Sequence, residues 1–332
     1  MSGSDIMLSI VTPVYNEEEV CDVFFDRLLP ILASITADFE VVCVDDGSRD
    51  GTLETLMRRR RDEPRIKVLS LSRNFGKDPA LMAGIDYARG AAVVPIDADL
   101  QDPPELIADM VAKWREGYDT VIGVRSDRSQ ESRPKRWSAS MFYRVMGQVS
   151  AVDVPPNAGD FRLLDRKLVD ALRRLPERSR FMKGLYAWVG TNPTFLYYER
   201  PERVAGKTKW RYWRLWNFAL DGIFSFTTLP LRIWTYVGVF VSGMSGLLGL
   251  YIVLTTLMRG ADMPGSTTVL LAVLFLSGVN MIGLGVLGEY IGRIFHEVKQ
   301  RPLYLVDRAI GFEQLPEANG RPILPGSPRL LE

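Results

Sequence analysis

Two stretches of this chain, Trp234 to Met258 and Thr267 to Gly288, contain no Asp, Glu, Lys or Arg. Each is longer than the roughly 20 residues that cross a bilayer core, and each is read as a transmembrane helix. The segment between them, Arg259 to Ser266, holds one Arg and one Asp, whereas Arg232 precedes the first stretch and Arg293, Lys299 and Arg301 follow the second. This bias predicts a multi-pass protein of the cytoplasmic membrane with both termini in the cytosol. Met1 is followed by polar residues and then a strand-like run, so no signal peptide is expected. Gly238, Ser242 and Gly246 recur every fourth residue, as do Gly288 and Gly292. They offer faces for close packing on a neighbour, or are incidental small residues on lipid-facing helices.

With 332 residues, 47% of them hydrophobic, the chain can form one sizeable domain plus this appendage. A formal charge of +1 hides an asymmetry: from Glu131 to Arg232 there are 19 Lys/Arg against 9 Asp/Glu, net +10, and the rest carries −9. A basic stretch suits a phosphate-rich partner. Its place directly ahead of an apolar span favours an anionic membrane surface over nucleic acid. Cys21 and Cys43 fall in an expected helix and strand and read as reduced core residues. The single histidine, His296, follows the second span, which excludes a His-based triad or a His-rich metal cluster. Chemistry must use carboxylates, Arg, Lys and a metal.

From Leu8 to Val124, apolar β-rich runs alternate with helical patterns. Strands are predicted over Leu8 to Thr12, Glu40 to Val44, Ile66 to Leu71, Ala91 to Ile96 and Thr120 to Val124. Helices are predicted near Glu18 to Ile35 and over Gly51 to Arg61, Asp78 to Ala88 and Pro103 to Glu116. Such alternation gives right-handed βαβ units and a mostly parallel α/β sheet with helices on both faces. Ligands of these sheets bind beyond the carboxyl ends of the strands. The polar clusters fall there: Pro13 to Glu17, Asp45 to Ser48, Ser72 to Lys77, Asp97 to Gln101, and Arg125.

Asp97-Ala98-Asp99, where an apolar strand empties into a loop, reads as a metal-diphosphate site. Two carboxylates one residue apart present hard oxygen ligands to Mg²⁺ or Mn²⁺, which bridges a nucleotide diphosphate. Asp102 is expected to cap the next helix, with Pro103 at its first position. The alternative is a solvated acidic turn.

Past Arg125 the pattern changes. Trp137, Met141, Val145 and Val149 at helical spacing, with Arg133, Lys135, Arg136 and Arg144 nearby, predict an amphipathic helix in the membrane interface or a basic surface helix on the domain. From Lys207 to Phe226, cations interleave with Trp210, Tyr212, Trp213, Trp216 and Phe218, a mixture that favours the headgroup layer. No internal repeat is evident, and the Pro-rich end from Pro316 reads as a loosely ordered tail.

Thr-Pro-Val-Tyr-Asn-Glu (12 to 17), Val-Asp-Asp-Gly-Ser (44 to 48), Asp-Ala-Asp-Leu-Gln (97 to 101) and the pair Arg203 and Lys209 resemble family 2 glycosyltransferases of the GT-A fold. They are similar to the polyprenyl-phosphate branch that includes dolichol-phosphate mannose synthases. Ser-Arg-Asn-Phe-Gly-Lys (72 to 77), Gly-Asp-Phe-Arg-Leu (159 to 163), the basic aromatic segment and the two spans resemble bacterial bactoprenol glucosyltransferases. The resemblance runs to about Arg301. It implies that Pro13, Tyr15 and Glu17 line the nucleotide, with Val44 and Asp46 beside them and Lys77 on the donor side. Asp97, Ala98 and Asp99 would hold metal and diphosphate, Gln101 and Arg125 the sugar side, and Arg203 and Lys209 the phosphates. Asp160 matches the acidic position facing the acceptor. The bland readings are a helix N-terminal acid for Glu17, a turn residue for Asp46, a capping acid for Asp160, and membrane-facing cations for Arg203 and Lys209.

The activity implied is inverting transfer of a hexose, glucose from a UDP-linked donor, to undecaprenyl phosphate at the cytosolic leaflet. Mannose transfer of the dolichol-phosphate type and other sugar donors remain alternatives. A processive polysaccharide synthase shares the Asp-x-Asp but carries Gln-x-x-Arg-Trp, where this chain has Arg133 before Arg136-Trp137. An inactive nucleotide-sugar-binding scaffold would have lost metal or phosphate ligands. The expected organisation is a GT-A domain over 1–165, an acceptor-side interface segment over 166–231, the two spans over 232–292 and a cytosolic tail over 293–332, in a homo-oligomer.

Overall fold

The structure is a computed structural model; it describes residues 7–126, 158–175, 177, 182–190, 192–199, 229–259, 266–312 and 329–331. The expected interfacial helix, Arg203, Lys209 and the aromatic segment 210–226 lie outside the described residues.

The first half alternates β1 (Leu8–Val14), α1 (Glu18–Ile35), β2 (Phe39–Asp45), α2 (Thr52–Asp62), β3 (Ile66–Leu71), α3 (Lys77–Tyr87), β4 (Ala92–Pro95), α4 (Leu106–Arg115) and β5 (Thr120–Arg125). β2, β3 and β4 are buried at every position. That is why they are mostly apolar on both faces; the charged Glu40 and Lys67 within β2 and β3 are buried as an ion pair. On α1, Val20, Cys21, Phe24, Phe25, Leu28 and Leu32 are buried, and their three- and four-residue spacing turns one stripe to the core. Cys21 and Cys43 are buried free thiols. Burial pushes the Cys21 thiol up to about 12 and Cys43 well above its ordinary value, so both stay protonated and inert.

The chain continues through β6 (Ala158–Asp165), α5 (Arg166–Arg174), α6 (Met182–Val189) and β7 (Pro193–Tyr198). Two long helices follow, α7 (Leu229–Arg259) and α8 (Ser266–Val298), then β8 (Val306–Ile310) and β9 (Arg329–Leu331). Among the described residues the sheet order is β7-β5-β6-β4-β1-β2-β3-β8-β9. The centre is parallel, as the alternation predicts, but β6 inserts antiparallel between β4 and β5.

The sheet also takes in elements beyond the predicted strands. β7 joins the sheet beside β5, so residues after 165 help build the same sheet. Residues beyond the second apolar helix do too: β8 pairs antiparallel with β3, and β9 of the expected loose tail pairs with β8. The Ser72 N–H donates to the Leu305 carbonyl at 2.9 Å, and the Tyr304 hydroxyl donates to Asp86 Oδ2 at 2.7 Å. α4 begins at Leu106, not Pro103, with Glu105 before it and no side-chain cap. Pro104 removes one of the two N–H groups that a capping carboxylate at Asp102 would accept from.

One compact unit comprises Met1–Trp216 and Arg301–Glu332, the other Asn217–Gln300. In the second, Tyr236–Met258 and Phe275–Val298 are long and apolar enough to cross a membrane, and almost none of their residues is buried inside the protein. An apolar helix exposed around its circumference needs lipid as its solvent, and the chain is membrane-associated. A Cβ at Gly283 would fall within 1.7 Å of Trp234, so this glycine lets the two helices meet. Gly238, Gly246, Gly288 and Gly292 face open space.

Candidate active site

The rim at the carboxyl ends of β1, β2, β3 and β4 is assembled by backbone groups held on side chains. Asn16 adopts φ 52°, a conformation that Asn tolerates better than most residues. Its N–H donates to Ser48 Oγ at 2.9 Å, and its Oδ1 accepts from the Arg49 N–H at 2.8 Å. The Glu17 N–H donates to Thr52 Oγ1 at 2.9 Å, fixing the start of α1. Gly47 has φ 69°, and a Cβ there would lie 2.7 Å from the Arg73 backbone; only glycine allows these loops to touch.

Between them lies a cavity of about 330 Å³ whose lining includes Tyr15, Asp45, Ser48, Arg49, Arg73 and Asn74. Asp46 is 3% exposed and accepts from the Phe75 and Gly76 N–H groups at 2.7 and 2.9 Å. Burial raises its pKa, and the two N–H bonds oppose that rise. Both oxygens are thereby engaged in anchoring the loop that delivers Lys77. Pro13 pairs with Val44 across β1 and β2. The Val44 side chain is fully buried and meets Gly84 of α3, so any part it takes at the rim runs through its backbone.

Asp97 and Asp99 follow β4. Ala98 between them is 4% exposed and belongs to the core, which fixes the loop. Asp99 Oδ1 accepts from the Gln101 N–H at 3.2 Å, and buried Leu100 adopts φ 56°. A leucine in that region costs about 1–3 kcal/mol and persists only where its surroundings impose it. Lys77 Nζ lies 2.7 Å from Asp97 Oδ2 and 3.0 Å from Asp160 Oδ2 on β6. Burial opposes its charge, but Asp97 and then Asp160 more than offset this and hold the ammonium above its ordinary pKa. The structure thus brings together Asp97 and Asp160, which are 63 positions apart in the sequence.

One buried group near this cleft reads only as a helix cap in the sequence. Asp102, 4% exposed, accepts a short hydrogen bond from the Tyr198 hydroxyl and lies 3.5 Å from the Arg125 guanidinium. Burial raises its pKa, with Arg125 and the Tyr198 bond opposing. Tyr198 was hidden because only its pairing opposite Arg125, at the end of β7, brings it to the rim.

Among the described residues, no group of three or more His, Cys, Asp or Glu could hold a metal. Asp97 and Asp99 nevertheless fit a divalent ion of the Mg²⁺ type, which is commonly bound by one or two carboxylates together with substrate phosphates and not by an all-protein cage.

The sequence matches Glycosyl transferase family 2 over residues 9–173 and the GtrB C-terminal hairpin over residues 229–294. It is 54% identical over 311 residues to an uncharacterized glycosyltransferase of Synechocystis sp., covering 94% of this chain and 98% of that one. It is 46% identical over 302 residues to a prophage-derived bactoprenol glucosyl transferase of Shigella flexneri, covering 91% and 98%. Among solved structures, a mannosyltransferase from Pyrobaculum calidifontis in complex with GDP-Man and Mn²⁺ aligns with TM-score 0.46 and 18% identity, over 89% of this chain and 84% of that one.

Proposed function

The chain belongs to glycosyl transferase family 2, and from that premise we propose that it moves a glucosyl residue from UDP-glucose to undecaprenyl phosphate at the cytosolic face of the membrane. The observation that carries this reading is the Lys77 bridge between Asp97 and Asp160, which joins the donor-side and acceptor-side carboxylates in one cleft. The cavity beside Tyr15 and Arg73 takes the nucleotide. Asp97 and Asp99 would hold a divalent ion, as glycosyltransferases of this fold typically use one. When bound, such an ion supplies Lewis-acid neutralisation of the leaving diphosphate. Arg203 and Lys209 add cations to the same charge, and Gln101 and Arg125 face the sugar.

An acceptor phosphomonoester, with a second pKa of about 6, is largely a dianion at cytosolic pH. It needs no strong base, so Asp160 orients the acceptor and keeps Lys77 in place. A single displacement inverts the anomeric centre. Two crossings, with the cation bias around them, would keep both termini on the cytosolic side. The test is incubation of the membrane-embedded protein with undecaprenyl phosphate and a panel of nucleotide sugars, with mass analysis of the lipid. A hexosyl-phosphoryl lipid formed best from UDP-glucose is expected. Absence of any lipid-linked hexose overturns the proposal.

A further inference from the structure

Arg125 ends β5, and its cross-strand partner at the end of β7 is Tyr198. The Tyr198 ring is 7% exposed and meets Phe161 edge to face at 6.0 Å. A Cβ at Gly123 would lie within 3.1 Å of both rings, so glycine there lets them reach this depth. The Tyr198 hydroxyl donates to Asp102 Oδ1, Arg125 Nε donates to the Tyr198 oxygen at 3.4 Å, and Arg125 donates to Asp102 at 3.5 Å. The Asp102 side chain is 6% exposed, while that of Arg125 keeps 29%. A Cβ at Gly159 would sit 3.7 Å from the same Arg125 nitrogen, placing the guanidinium beside Gly159, the residue preceding Asp160.

An ionised carboxylate this deep costs several kcal/mol unless it is paired and hydrogen-bonded. Capping α4 does not account for it, because that helix starts four residues later. What the carboxylate and the hydroxyl hold is one edge of a guanidinium that keeps 29% of its side chain exposed, beside Gly159. A planar guanidinium fixed along one edge presents its other N–H groups in a set direction, which a lysine or an untethered arginine does not do. We propose that Asp102 and Tyr198 are positioning residues which together aim Arg125 at the transferred sugar and its phosphate, between the donor carboxylates and Asp160. The proposal rests on the reading of Arg125 as a donor-side residue.

The test is a set of variants assayed for turnover, UDP affinity and melting temperature: Tyr198→Phe, Asp102→Asn, Arg125→Ala, and the double variant Tyr198→Phe with Arg125→Ala. Tyr198→Phe should lower kcat roughly ten- to hundredfold, the range for a misplaced group outside the chemistry, while UDP affinity stays near wild type and the melting temperature falls by the loss of one buried hydrogen bond, with the protein still folded at assay temperature. Asp102→Asn should do the same. If it fails to fold, Tyr198→Phe carries the test alone. Within the double variant, the tyrosine change should add nothing to the loss from Arg125→Ala, since removing the aimed group removes the purpose of aiming it. Full activity of Arg125→Ala would refute the donor-side role of Arg125. An impaired Arg125→Ala beside a fully active Tyr198→Phe, or multiplying losses in the double variant, would overturn the positioning role and leave the donor-side reading intact.

Discussion

Lys77 is the residue on which the geometry of the cleft turns. Its ammonium sits against one carboxylate expected to bind metal and one expected to face the acceptor, so it occupies charge that a divalent ion would otherwise neutralise. Its side chain keeps 43% exposure, and solvent screening holds each such pair to a modest contribution. Lys77→Met should therefore tighten Mn²⁺ binding to the donor-free protein by only about 0.5 to 1 kcal/mol, roughly two- to fivefold, while turnover falls. Calorimetric titration with Mn²⁺ decides it. Weaker binding would mean that Lys77 arranges the carboxylates for the metal and does not compete with it. Asp99→Ala should abolish glycolipid formation and weaken metal-dependent UDP binding, because the pair then loses one of two hard ligands. Near-normal turnover of that variant in excess Mg²⁺ would remove Asp99 from the metal site.

β8 lies more than two hundred positions from the strand it pairs with, and the loop bearing Lys77 starts where that pairing ends. Ile310, 2% exposed in the core cluster, should tolerate no charge. Ile310→Asp is expected to destabilise the catalytic unit by about 3 kcal/mol or more, read by denaturant unfolding, whereas Arg308→Ala at a half-exposed site should be nearly silent. An unchanged midpoint for Ile310→Asp would mean that β8 is a dispensable edge. The parallel strands β1 to β5 were legible because burial on both faces leaves them rich in apolar, β-branched residues despite Glu40 and Lys67, and the rim clusters were legible because each lies next to such a strand. β8 was not: Val-Asp-Arg-Ala-Ile breaks its apolar residues with two adjacent charges and has its place in the sheet only by pairing with β3 and β9. Asp102 was misread for a related reason. Its position before two prolines is a local helix-start signal, and the partner that overrides it, Tyr198, is 96 residues away. The placing of the polar clusters at the strand ends was thus foreseeable from local pattern, while the contacts that tie Asp97 to Asp160 and Asp102 to Tyr198 belong to the folded sheet alone.

The path of the chain determines how anchoring can be separated from catalysis. Ending the protein ahead of α7 would remove β8 and β9 along with the helices, so loss of activity would not distinguish an unanchored enzyme from an incomplete sheet. Replacing residues 229–300 with a flexible Gly/Ser linker keeps β8 available to β3 while deleting the hairpin. That variant should bind UDP with a metal and glycosylate a short, water-soluble polyprenyl phosphate, yet turn over long-chain undecaprenyl phosphate in vesicles at least tenfold more slowly. The physical reason is concentration. The acceptor phosphate is confined to the bilayer surface, and basic or aromatic residues alone attach the cleft there only weakly and reversibly, whereas two apolar helices hold it at a high effective concentration of lipid headgroups. Salt should deepen the defect by screening the residual attraction of the 131–232 segment to anionic lipid. Wild-type rates of the linker variant on vesicles at high salt would show that the hairpin serves assembly and not acceptor delivery; a variant inactive on the soluble acceptor as well would show that α7 and α8 contribute to the catalytic unit itself.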